Sequence, residues 1–498
     1  MSMTTKNIGP ANKMAKMTSS SSSMVVGDEV DMISNLPDAL IIQILSFLPT
    51  EDVFRTCILS KRWKLIWYSV PTLFFSSDDT IYDVEKFYSF VENYFEHREK
   101  GIDSNIVDLG ITSFELYIYN YYCRSKGGIL DKLLSFAVKN KVKEMYVFIG
   151  KEIVEEGGDY SDHYYCLPKI LDNARFLTIL ELYGVKLDTS SCSFSFPSLK
   201  TLSLEQVYHL EDAKEDGVVK FLLGCPSLEK LGLYDYCFYG MNVQLQSLSL
   251  KFMELMFVDI DDIEVQIEVE AINLESLVVD GIPLNRINFS SCKKIRDLSL
   301  PSSRDNSPLS SFEALISNIP LVENLALSCN SSKSEHLKIS SQHLKCFDFE
   351  NRCYSYNGGE MKVVTIESAP KLAYISYQGN LNFKVSMESS SLVNGKIIIL
   401  DARIDYDTKW FIDLLNFFVN LSYSWNTVTL KVCNYESLIW PENLPKNLKN
   451  LFRYPLVSWK HLEVFTNYDP EKESDLKEAL MWISPSLETL SINEKVIF

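Results

Sequence analysis

The hexapeptide LKTLSL at residues 199–204 recurs as LEKLGL at 228–233 and as LESLVV at 274–279. In each copy the last two apolar residues flank one variable residue, which is the alternation of a half-buried β-strand. One copy alone cannot enclose a core, so neighbouring copies must stack and bury each other's apolar side chains. The recurrence therefore predicts strands that lie side by side in one parallel sheet.

Looser copies of this pattern cover a much longer segment. They begin at Val142, Leu177, Leu245, Ile295, Val322, Leu344 and Leu372. Successive copies start 17 to 35 residues apart, and their average spacing lies within the roughly 20–29 residues of a leucine-rich repeat. The pattern predicts an α/β repeat fold, an irregular leucine-rich-repeat solenoid with a parallel sheet on its concave face and helices or irregular segments behind it.

A second informative segment, residues 31–75, precedes the repeats. Apolar residues recur there at helical spacing between Pro37 and Pro49, and Ser60 has the position of an N-cap for a further helix. Three helices in about forty residues cannot bury so many large apolar side chains internally. Either the segment docks onto a partner protein, or it caps the following domain and its apolar residues belong to a core there.

The order of short motifs in this segment resembles a plant F-box. The motifs are Leu36-Pro37, Ile44-Leu45, Leu48-Pro49 and Leu59-Ser60-Lys61-Arg62-Trp63. The resemblance implies a short three-helix domain that docks onto a Skp-type adaptor and, through it, joins the cullin and RING subunits of a ubiquitin ligase. The adaptor-binding residues that it implies are Leu36, Pro37, Ile41, Ile44, Leu45, Leu48, Pro49, Val53, Leu59 and Trp63.

The repeats themselves resemble those of plant F-box proteins with leucine-rich repeats. FPSLKTL at 196–202 and GCPSLEKL at 224–231 are phrases of that family. Near the C-terminus, WKHLEVF at 459–465 and SPSLETLSI at 484–492 have the layout of the region called FBD, although its usual cysteine-containing signature is not intact.

These observations predict the domain organisation. The first 30 residues are polar, include a run of five serines and lack periodicity, so we expect them to be disordered. The predicted segments are a disordered tail at 1–30, the F-box at 31–75, a helical linker at 76–105, leucine-rich repeats at 106–390, and degenerate repeats with an FBD-like region at 391–498.

Composition limits the classes of function. The net charge of −18 argues against a general nucleic-acid binder, because phosphate contacts need clustered Lys and Arg. The eleven cysteines form no C-x-x-C pair, so neither a zinc site nor a disulfide scaffold is expected, and no motif indicates a cofactor. No signal peptide or membrane-length apolar run is visible, which favours the nucleus or the cytoplasm and no membrane partner.

The sequence favours a non-enzymatic role. The leading interpretation is the substrate-recognition subunit of an SCF-type cullin-RING ubiquitin ligase, in which the repeats bind a target protein. The alternative is a leucine-rich-repeat scaffold or small-molecule receptor with an unused F-box, and the intact F-box core favours the first. A catalytic ligase would need a RING's closely spaced metal ligands or a thioester-forming cysteine domain, and neither is visible.

A target-binding surface is predicted on the concave face. The residue between the last two apolar positions of each copy should point out of the sheet. This column comprises Ser203, Gly232, Ser249, Val278, Ser299, Ala326, Asp348 and Ser376. Its charged neighbours are Glu205, Asp280, Asp297, Glu350, Lys230 and Lys251. The functional interpretation is a shallow groove that prefers a basic segment; alternatively, small residues merely suit strand packing and the charge follows the overall acidity of the chain.

Overall fold

A computed structural model of the chain describes these residues: 33, 35–77, 84–102, 110–119, 126–150, 164–169, 171, 174–188, 194–210, 216–238, 240–258, 265–301, 308–352, 360–387, 393–400, 406–421, 425–439, 457–467 and 469–498. The tail predicted to be disordered, residues 1–30, lies outside them.

The helices of the described segments include α1 (Asp38–Leu45), α2 (Thr50–Arg55), α3 (Lys61–Ile66), α4 (Val84–Ile102), α5 (Gly127–Lys139), α6 (Gly217–Gly224), α7 (Ser310–Ser317), α8 (Thr408–Asn420) and α9 (Glu473–Ile483). Short 3₁₀ turns lie at Thr56–Ile58, Trp67–Ser69, Leu284–Arg286, Tyr435–Ser437 and Pro470–Lys472.

The strands, in chain order, are β1 (Thr72–Ser77), β2 (Ser113–Ile118), β3 (Glu144–Ile149), β4 (Tyr165–Cys166), β5 (Ile179–Tyr183), β6 (Val185–Leu187), β7 (Thr201–Glu205), β8 (Tyr208–His209), β9 (Lys230–Tyr234), β10 (Asn242–Gln246), β11 (Phe252–Met256), β12 (Gln266–Glu270), β13 (Ser276–Asp280), β14 (Ile287–Asn288), β15 (Asp297–Leu300), β16 (Asn324–Cys329), β17 (Glu335–Ser340), β18 (Cys346–Asn351), β19 (Lys362–Ser368), β20 (Tyr374–Gly379), β21 (Phe383–Met387), β22 (Val393–Ile399), β23 (Trp425–Asn434), β24 (His461–Asn467), β25 (Thr489–Ile492) and β26 (Lys495–Val496).

The segment at 31–75 forms the three predicted short helices. Pro37 and Pro49 stand directly before α1 and α2, where a fixed φ and a missing N–H suit a helix start. Ser60 caps α3, as predicted, because its hydroxyl oxygen accepts a hydrogen bond from the Trp63 amide at 3.3 Å. Local sequence chemistry therefore defines all three helix starts.

One large sheet runs through the described part of the chain. Its strands pair in parallel in the order β1-β2-β3-β5-β7-β9-β11-β13-β15-β16-β18-β20-β22-β23-β24-β25, and β26 is antiparallel to β25. The predicted helical F-box followed by a repeat solenoid with a parallel sheet is confirmed. The sheet begins before the predicted repeat segment, since its first strand starts at Thr72, and it continues to Val496 through the segment predicted to hold degenerate repeats.

In the described part of the chain, three smaller sheets lie outside the large one, and the sequence did not predict them. Each has three strands, β4-β6-β8, β10-β12-β14 and β17-β19-β21, and their described pairings are parallel. Helices α6, α7 and α8 contact β10, β17 and β21 respectively. The back of the solenoid is thus built from strands as well as from helices.

The copy assigned to Leu245 was wrong in register. Leu245 lies on β10, in one of the small sheets, whereas the large sheet continues with β11 and the true copy is Leu250-Lys-Phe-Met253-Glu-Leu255. Met253 in place of leucine weakened the true pattern, and a leucine at 248 completed a false one. Leu248 is 71% exposed, although the false copy would have buried it.

With the copy at Leu250 in place of the one at Leu245, the first apolar residue of every copy belongs to the core. These residues are at most 4% exposed: Val142, Leu177, Leu199, Leu228, Leu250, Leu274, Ile295, Val322, Leu344 and Leu372. Burial of one leucine or isoleucine stabilises a fold by about 1.5–3 kcal/mol. The stacked aliphatic residues therefore provide the cohesion between neighbouring copies.

A ladder of alternating charge directly follows seven of these buried positions, from Leu199 to Leu344. Its members are Lys200, Glu229, Lys251, Glu275, Arg296, Glu323 and Lys345. From the second member onward, each backbone N–H donates to the carbonyl oxygen of the preceding member at 2.7–2.9 Å. Glu229 forms ion pairs with Lys200 at 3.5 Å and with Lys251 at 2.9 Å. Glu323 forms ion pairs with Arg296 at 2.6 Å and with Lys345 at 2.5 Å. This charge ladder supports the register of adjacent repeats.

The F-box and the solenoid share one core. β1 is the first strand of the large sheet, and it is attached to the F-box because the Phe74 amide donates to the Thr50 hydroxyl at 2.8 Å. The buried Arg98 guanidinium lies 5.7 Å from the Trp67 ring and 5.8 Å from the Phe136 ring, so it joins the F-box, α4 and α5. These contacts hold the two parts of the chain as a continuous unit.

The corrected register predicts opposite results for two leucines that are two residues apart. Leu250→Ala should lower the free energy of unfolding by about 2–5 kcal/mol, because it opens a cavity between copies. Leu248→Ala, at an exposed position, should change it by about 0.5 kcal/mol or less. Urea unfolding of both variants measures the difference, and a larger loss in Leu248→Ala would contradict the register.

Candidate adaptor-binding and target-binding surfaces

An arginine fixes the segment that leads into the F-box helices. The Arg62 guanidinium donates from Nη2 to the Leu36 carbonyl oxygen at 2.6 Å and from Nε to the Asp38 carboxylate at 2.8 Å. The contacts join residues 24 and 26 positions apart in sequence. The Leu-Pro motif and the Lys-Arg-Trp motif are therefore parts of one contact between the start of α1 and α3.

The structure divides the predicted adaptor-binding residues into two groups. Ile41, Leu45, Val53 and Trp63 are at most 6% exposed and form the core of the F-box. In the chain alone little of these side chains is accessible, so they support the F-box from within, and their contact with an adaptor stays a prediction. Helical spacing identified their apolar face but could not show that this face packs inward.

The other predicted residues remain accessible. Ile44, Leu48 and Leu59 are 50%, 38% and 62% exposed, respectively. Pro37 is exposed, and Leu36 and Pro49 are half-buried. Adaptor binding by these residues stays a prediction.

Further exposed apolar residues accompany them, and sequence reasoning did not assign them to the site. They are Ile33, Leu40, Phe47, Ile58 and Leu65. Phe47 and Ile58 are 80% and 88% exposed. Exposed apolar side chains at this density on a small domain indicate an interaction surface.

The pairing register defines the central column of the concave face. From β2 to β20 the column comprises Glu115, Tyr146, Glu181, Ser203, Gly232, Glu254, Val278, Ser299, Ala326, Asp348 and Ser376. The predicted Ser249 is absent from the column, and Glu254 occupies the position instead because of the register error at Leu245. The sequence analysis did not include Tyr146 and Glu181 in this column. They occupy the same position in the copies that begin at Val142 and Leu177, so extending the column to those copies would have identified them.

The predicted shallow groove is closed at Gly232. A Cβ atom there would lie 2.6 Å from the Tyr234 ring, so that ring covers the glycine. The Tyr234 hydroxyl donates to Glu254, which also pairs with Lys230 at 3.1 Å. Gly232 therefore makes room for an internal side chain and not for a ligand backbone.

The predicted acidic residues have different surroundings. Burial raises the pKa of Asp348, which a hydrogen bond from Ser376 partly offsets. Glu350 pairs with Arg352 at 2.8 Å and accepts a hydrogen bond from Gln378 at 3.0 Å. These two carboxylates have protein partners and are poorly suited to a ligand.

Glu205, Asp280 and Ser203 occupy other places on the concave face. Glu205 and Asp280 are the last residues of β7 and β13, and Ser203 is half-buried in the middle of β7. Burial and the charges of Asp235 and Glu181 raise the pKa of Glu205. Of the predicted acidic residues, Glu205 thus lies nearest to a concentration of negative charge.

That concentration includes aromatic rings on β2, β3 and β5. We name the set Glu115, Tyr117, Glu144, Tyr146, Phe148, Glu181 and Tyr183 the aromatic–glutamate patch. The Phe148 ring stacks on Tyr183 with centroids 3.8 Å apart and lies 5.9 Å from Tyr117. Burial, then the charge of Glu144, raises the pKa of Glu115, and burial raises that of Glu181 against the opposing effect of Lys230.

A buried polar cluster behind the sheet has a structural role. The Tyr236 hydroxyl donates to Asp216 at 2.9 Å, and the same carboxylate accepts from the Val218 amide at 2.9 Å to cap α6. The described residues contain no group of three His, Cys, Asp or Glu that could hold a metal ion. None of the helices in the described segments is long and apolar enough to cross a bilayer.

Comparisons with known proteins agree with this architecture. Residues 33–75 match the family described as F-box domain. Residues 104–357, just over half of the chain, match the family described as At1g61320/AtMIF1, LRR domain. The chain belongs to the F-box/leucine-rich-repeat family.

Curated relatives of this F-box/LRR protein come from Arabidopsis thaliana. An FBD-associated F-box protein is 30% identical over 356 residues, which cover 69% of this chain and 73% of the relative. An F-box/FBD/LRR-repeat protein is 28% identical over 232 residues, covering 46% of this chain and 48% of the relative. The alignments with the first three relatives span less than half of each relative's length.

In this F-box/LRR protein, the aromatic–glutamate patch should reduce the stability of the fold by an amount that depends on pH. Because the pKa of Glu115 and Glu181 is raised in the folded state, folding favours their protonated forms and stability falls as pH rises through the raised pKa values. Glu115→Gln with Glu181→Gln should therefore raise Tm at pH 7.5 by about 1–3 °C. The gain should shrink as the pH is lowered toward 4.5.

A charge-matched variant controls for the overall acidity of the chain. Glu92 and Glu478 are exposed on α4 and α9, and their double change to Gln should alter Tm much less. Thermal unfolding at several pH values provides the comparison. Equal increases in Tm in both double variants would show that the loss of stability does not come from the patch.

Proposed function

We propose that the chain is the substrate-recognition subunit of an SCF-type cullin-RING ubiquitin ligase. Its exposed F-box surface binds a Skp-type adaptor, and its solenoid binds a target protein for ubiquitination. The F-box/LRR families are typically non-enzymatic adaptor proteins, and F-box domains generally dock Skp-type adaptors in SCF complexes. As part of this proposal, the complex acts in the nucleus or the cytoplasm.

The supporting observation is the exposed apolar surface of a helical domain that is continuous with the sheet. Phe47, Ile58 and Leu59 project from the F-box with exposures of 80%, 88% and 62%, while β1 starts the concave sheet within the matched F-box segment. A partner bound to the F-box surface therefore has a defined position relative to the concave sheet. This arrangement suits a subunit that must present a target to a ligase.

The alternative role, a small-molecule receptor with an unused F-box, has less support. The enclosed cavity beside Leu167, Leu187 and Phe221 has a volume of about 20 Å³, and another beside Phe238 and Ile282 has about 10 Å³. Ligand pockets usually have several hundred cubic ångströms. A third depression, of about 550 Å³, reaches that size, but it is open to solvent and is lined by Lys200, Glu229 and Lys251, which pair with one another. The open concave sheet offers more area to a protein segment than either cavity offers to a small molecule.

Removal of two exposed F-box side chains should weaken adaptor binding. Ile44→Ala with Leu59→Ala removes apolar area without opening the core, since both residues are at least 50% exposed. Each buried Leu or Ile contributes about 1.5–3 kcal/mol at an interface, so the Kd for the adaptor should rise at least about tenfold. Calorimetry with purified Skp-type adaptor measures this change.

The control uses exposed leucines outside the F-box. Leu223→Ala with Leu248→Ala removes two side chains that are 73% and 71% exposed on the solenoid, and adaptor affinity should stay within about twofold of the original. Retained Tm in both variants shows that folding is intact. Unchanged adaptor binding by the F-box variant would refute the proposed docking surface.

The proposal also predicts that the chain alone transfers no ubiquitin. Purified chain with activating and conjugating enzymes should form no conjugates, and conjugation should require the adaptor, cullin and RING subunits. Gel analysis of the reconstituted reactions tests this requirement. Conjugates that form without cullin and RING, and are lost when one cysteine is replaced, would overturn the non-enzymatic role.

A further inference from the structure

Four neighbouring strands near the start of the solenoid carry negative charge and no positively charged residue of their own, although Lys230 on β9 acts on one of their glutamates, Glu181. β2, β3, β5 and β7 together contain four glutamates and no Lys, Arg or His. The glutamates are Glu115, Glu144, Glu181 and Glu205. Within the described segments, the ion pairs on this sheet involve other carboxylates, such as Glu229, Glu254 and Glu323.

Tyr146 lies at the centre of this charge. It pairs in register with Glu115 on β2 and with Glu181 on β5, and Glu144 lies two residues before it on the same face of β3. Burial and then the charges of Glu144, Glu181 and Glu115 raise its pKa to about 12. Three carboxylates therefore act on one half-buried aromatic ring.

Aromatic rings form one side of the same site. Tyr117, Phe148 and Tyr183 stand two residues beyond the Glu115, Tyr146 and Glu181 row, and they are paired with one another across the strands. The electron-rich face of an aromatic ring attracts cations, most often arginine. The facing sides of Phe148 and Tyr183 cover each other, so the patch offers a cationic side chain its carboxylates and the half-buried Tyr146 ring.

The spacing of the carboxylates suits an organic cation. Glu115 and Glu181 lie on strands on either side of β3, so their backbones are about 9–10 Å apart. A guanidinium is planar and has five N–H donors in a fixed fork. It can lie against Tyr146 and donate toward carboxylates on both sides.

We infer that the aromatic–glutamate patch binds an arginine side chain from a basic segment of the target protein. This inference rests on the proposed function, since it specifies which part of the solenoid the target contacts and by what chemistry. The guanidinium lies against Tyr146 and pairs with Glu115 and Glu181, while the aromatic row excludes water from one side. Glu205 extends the favourable field along the peptide.

The test uses the full chain, both alone and together with purified Skp-type adaptor, and three fluorescent probes. Each probe is a twelve-residue Gly/Ser peptide with three substitutions, to arginine, to lysine or to citrulline, the uncharged analogue of arginine. Fluorescence anisotropy at physiological salt should show saturable binding of the arginine probe, weaker binding of the lysine probe and the weakest binding of the citrulline probe. Equal binding of the arginine and citrulline probes, or no saturable binding of the arginine probe, overturns the inference.

Variants distinguish the patch from the general acidity of the chain. Glu115→Gln with Glu181→Gln should weaken arginine-probe binding about tenfold or more, whereas Glu92→Gln with Glu478→Gln, which removes the same charge, should change it by about twofold or less. Tyr146→Leu leaves the net charge unchanged and should weaken binding by about three- to tenfold. Equal losses in the patch and control variants would overturn the inference.

Adaptor binding by the same variants separates this inference from the proposed function. All of them should keep the adaptor affinity of the original chain, because the F-box surface is unchanged. If the original chain binds the arginine probe at the patch but no adaptor, the proposed ligase role fails and the cation site remains. If adaptor binding is intact and the probe results fail as stated above, only the cation site is refuted.

Discussion

The burial of one aliphatic residue between each repeat and the next underlies the whole molecule. No repeat has a core of its own, so a free end of the stack would expose residues such as Val142 or Leu177 to water. At the N-terminal end the F-box prevents this exposure, because its chain continues into β1, which pairs with β2, and helices α2 and α4 contact β1. The F-box is therefore also the cap that a solenoid requires.

That double role explains the distribution of apolar residues within the F-box. Ile41, Leu45, Val53 and Trp63 support the cap from inside, whereas Ile44, Phe47, Ile58 and Leu59 remain in contact with solvent. A domain of about forty residues would be marginal by itself. The shared core with the solenoid lets it leave a set of large apolar side chains exposed without losing its structure.

The sequence predicted the class of fold, the three F-box helices and most repeat positions, because each depends on local patterns of apolar residues. It failed at Leu245, where Met253 weakened the true copy and a leucine on the surface completed a false one. It also could not separate the inward from the outward side of the F-box helices, since both carry leucine and isoleucine. The three small sheets behind the solenoid escaped prediction because their strands pair with segments at least 20 residues away.

At the candidate target site, the sequence did not predict the surroundings of individual side chains. Sequence placed Ser203 and Glu205 on the concave face, but it gave Gly232 an open environment that the Tyr234 ring in fact covers. Whether a carboxylate is available depends on its neighbours across strands, as Glu350 and Glu181 show: the first accepts a hydrogen bond from Gln378 on β20, and the second is paired with Tyr146 on β3. Such pairings follow from the register, which the spacing of the copies left inexact.

The charge ladder sets a rule for how this solenoid can change in length. Its signs alternate from Lys200 to Lys345, so loss or duplication of one internal repeat would place two like charges on adjacent strands, where they destabilise the pairing. Loss or duplication of two consecutive repeats preserves the alternation. Although each repeat is one structural unit, the unit of insertion and deletion in this part of the molecule is a pair.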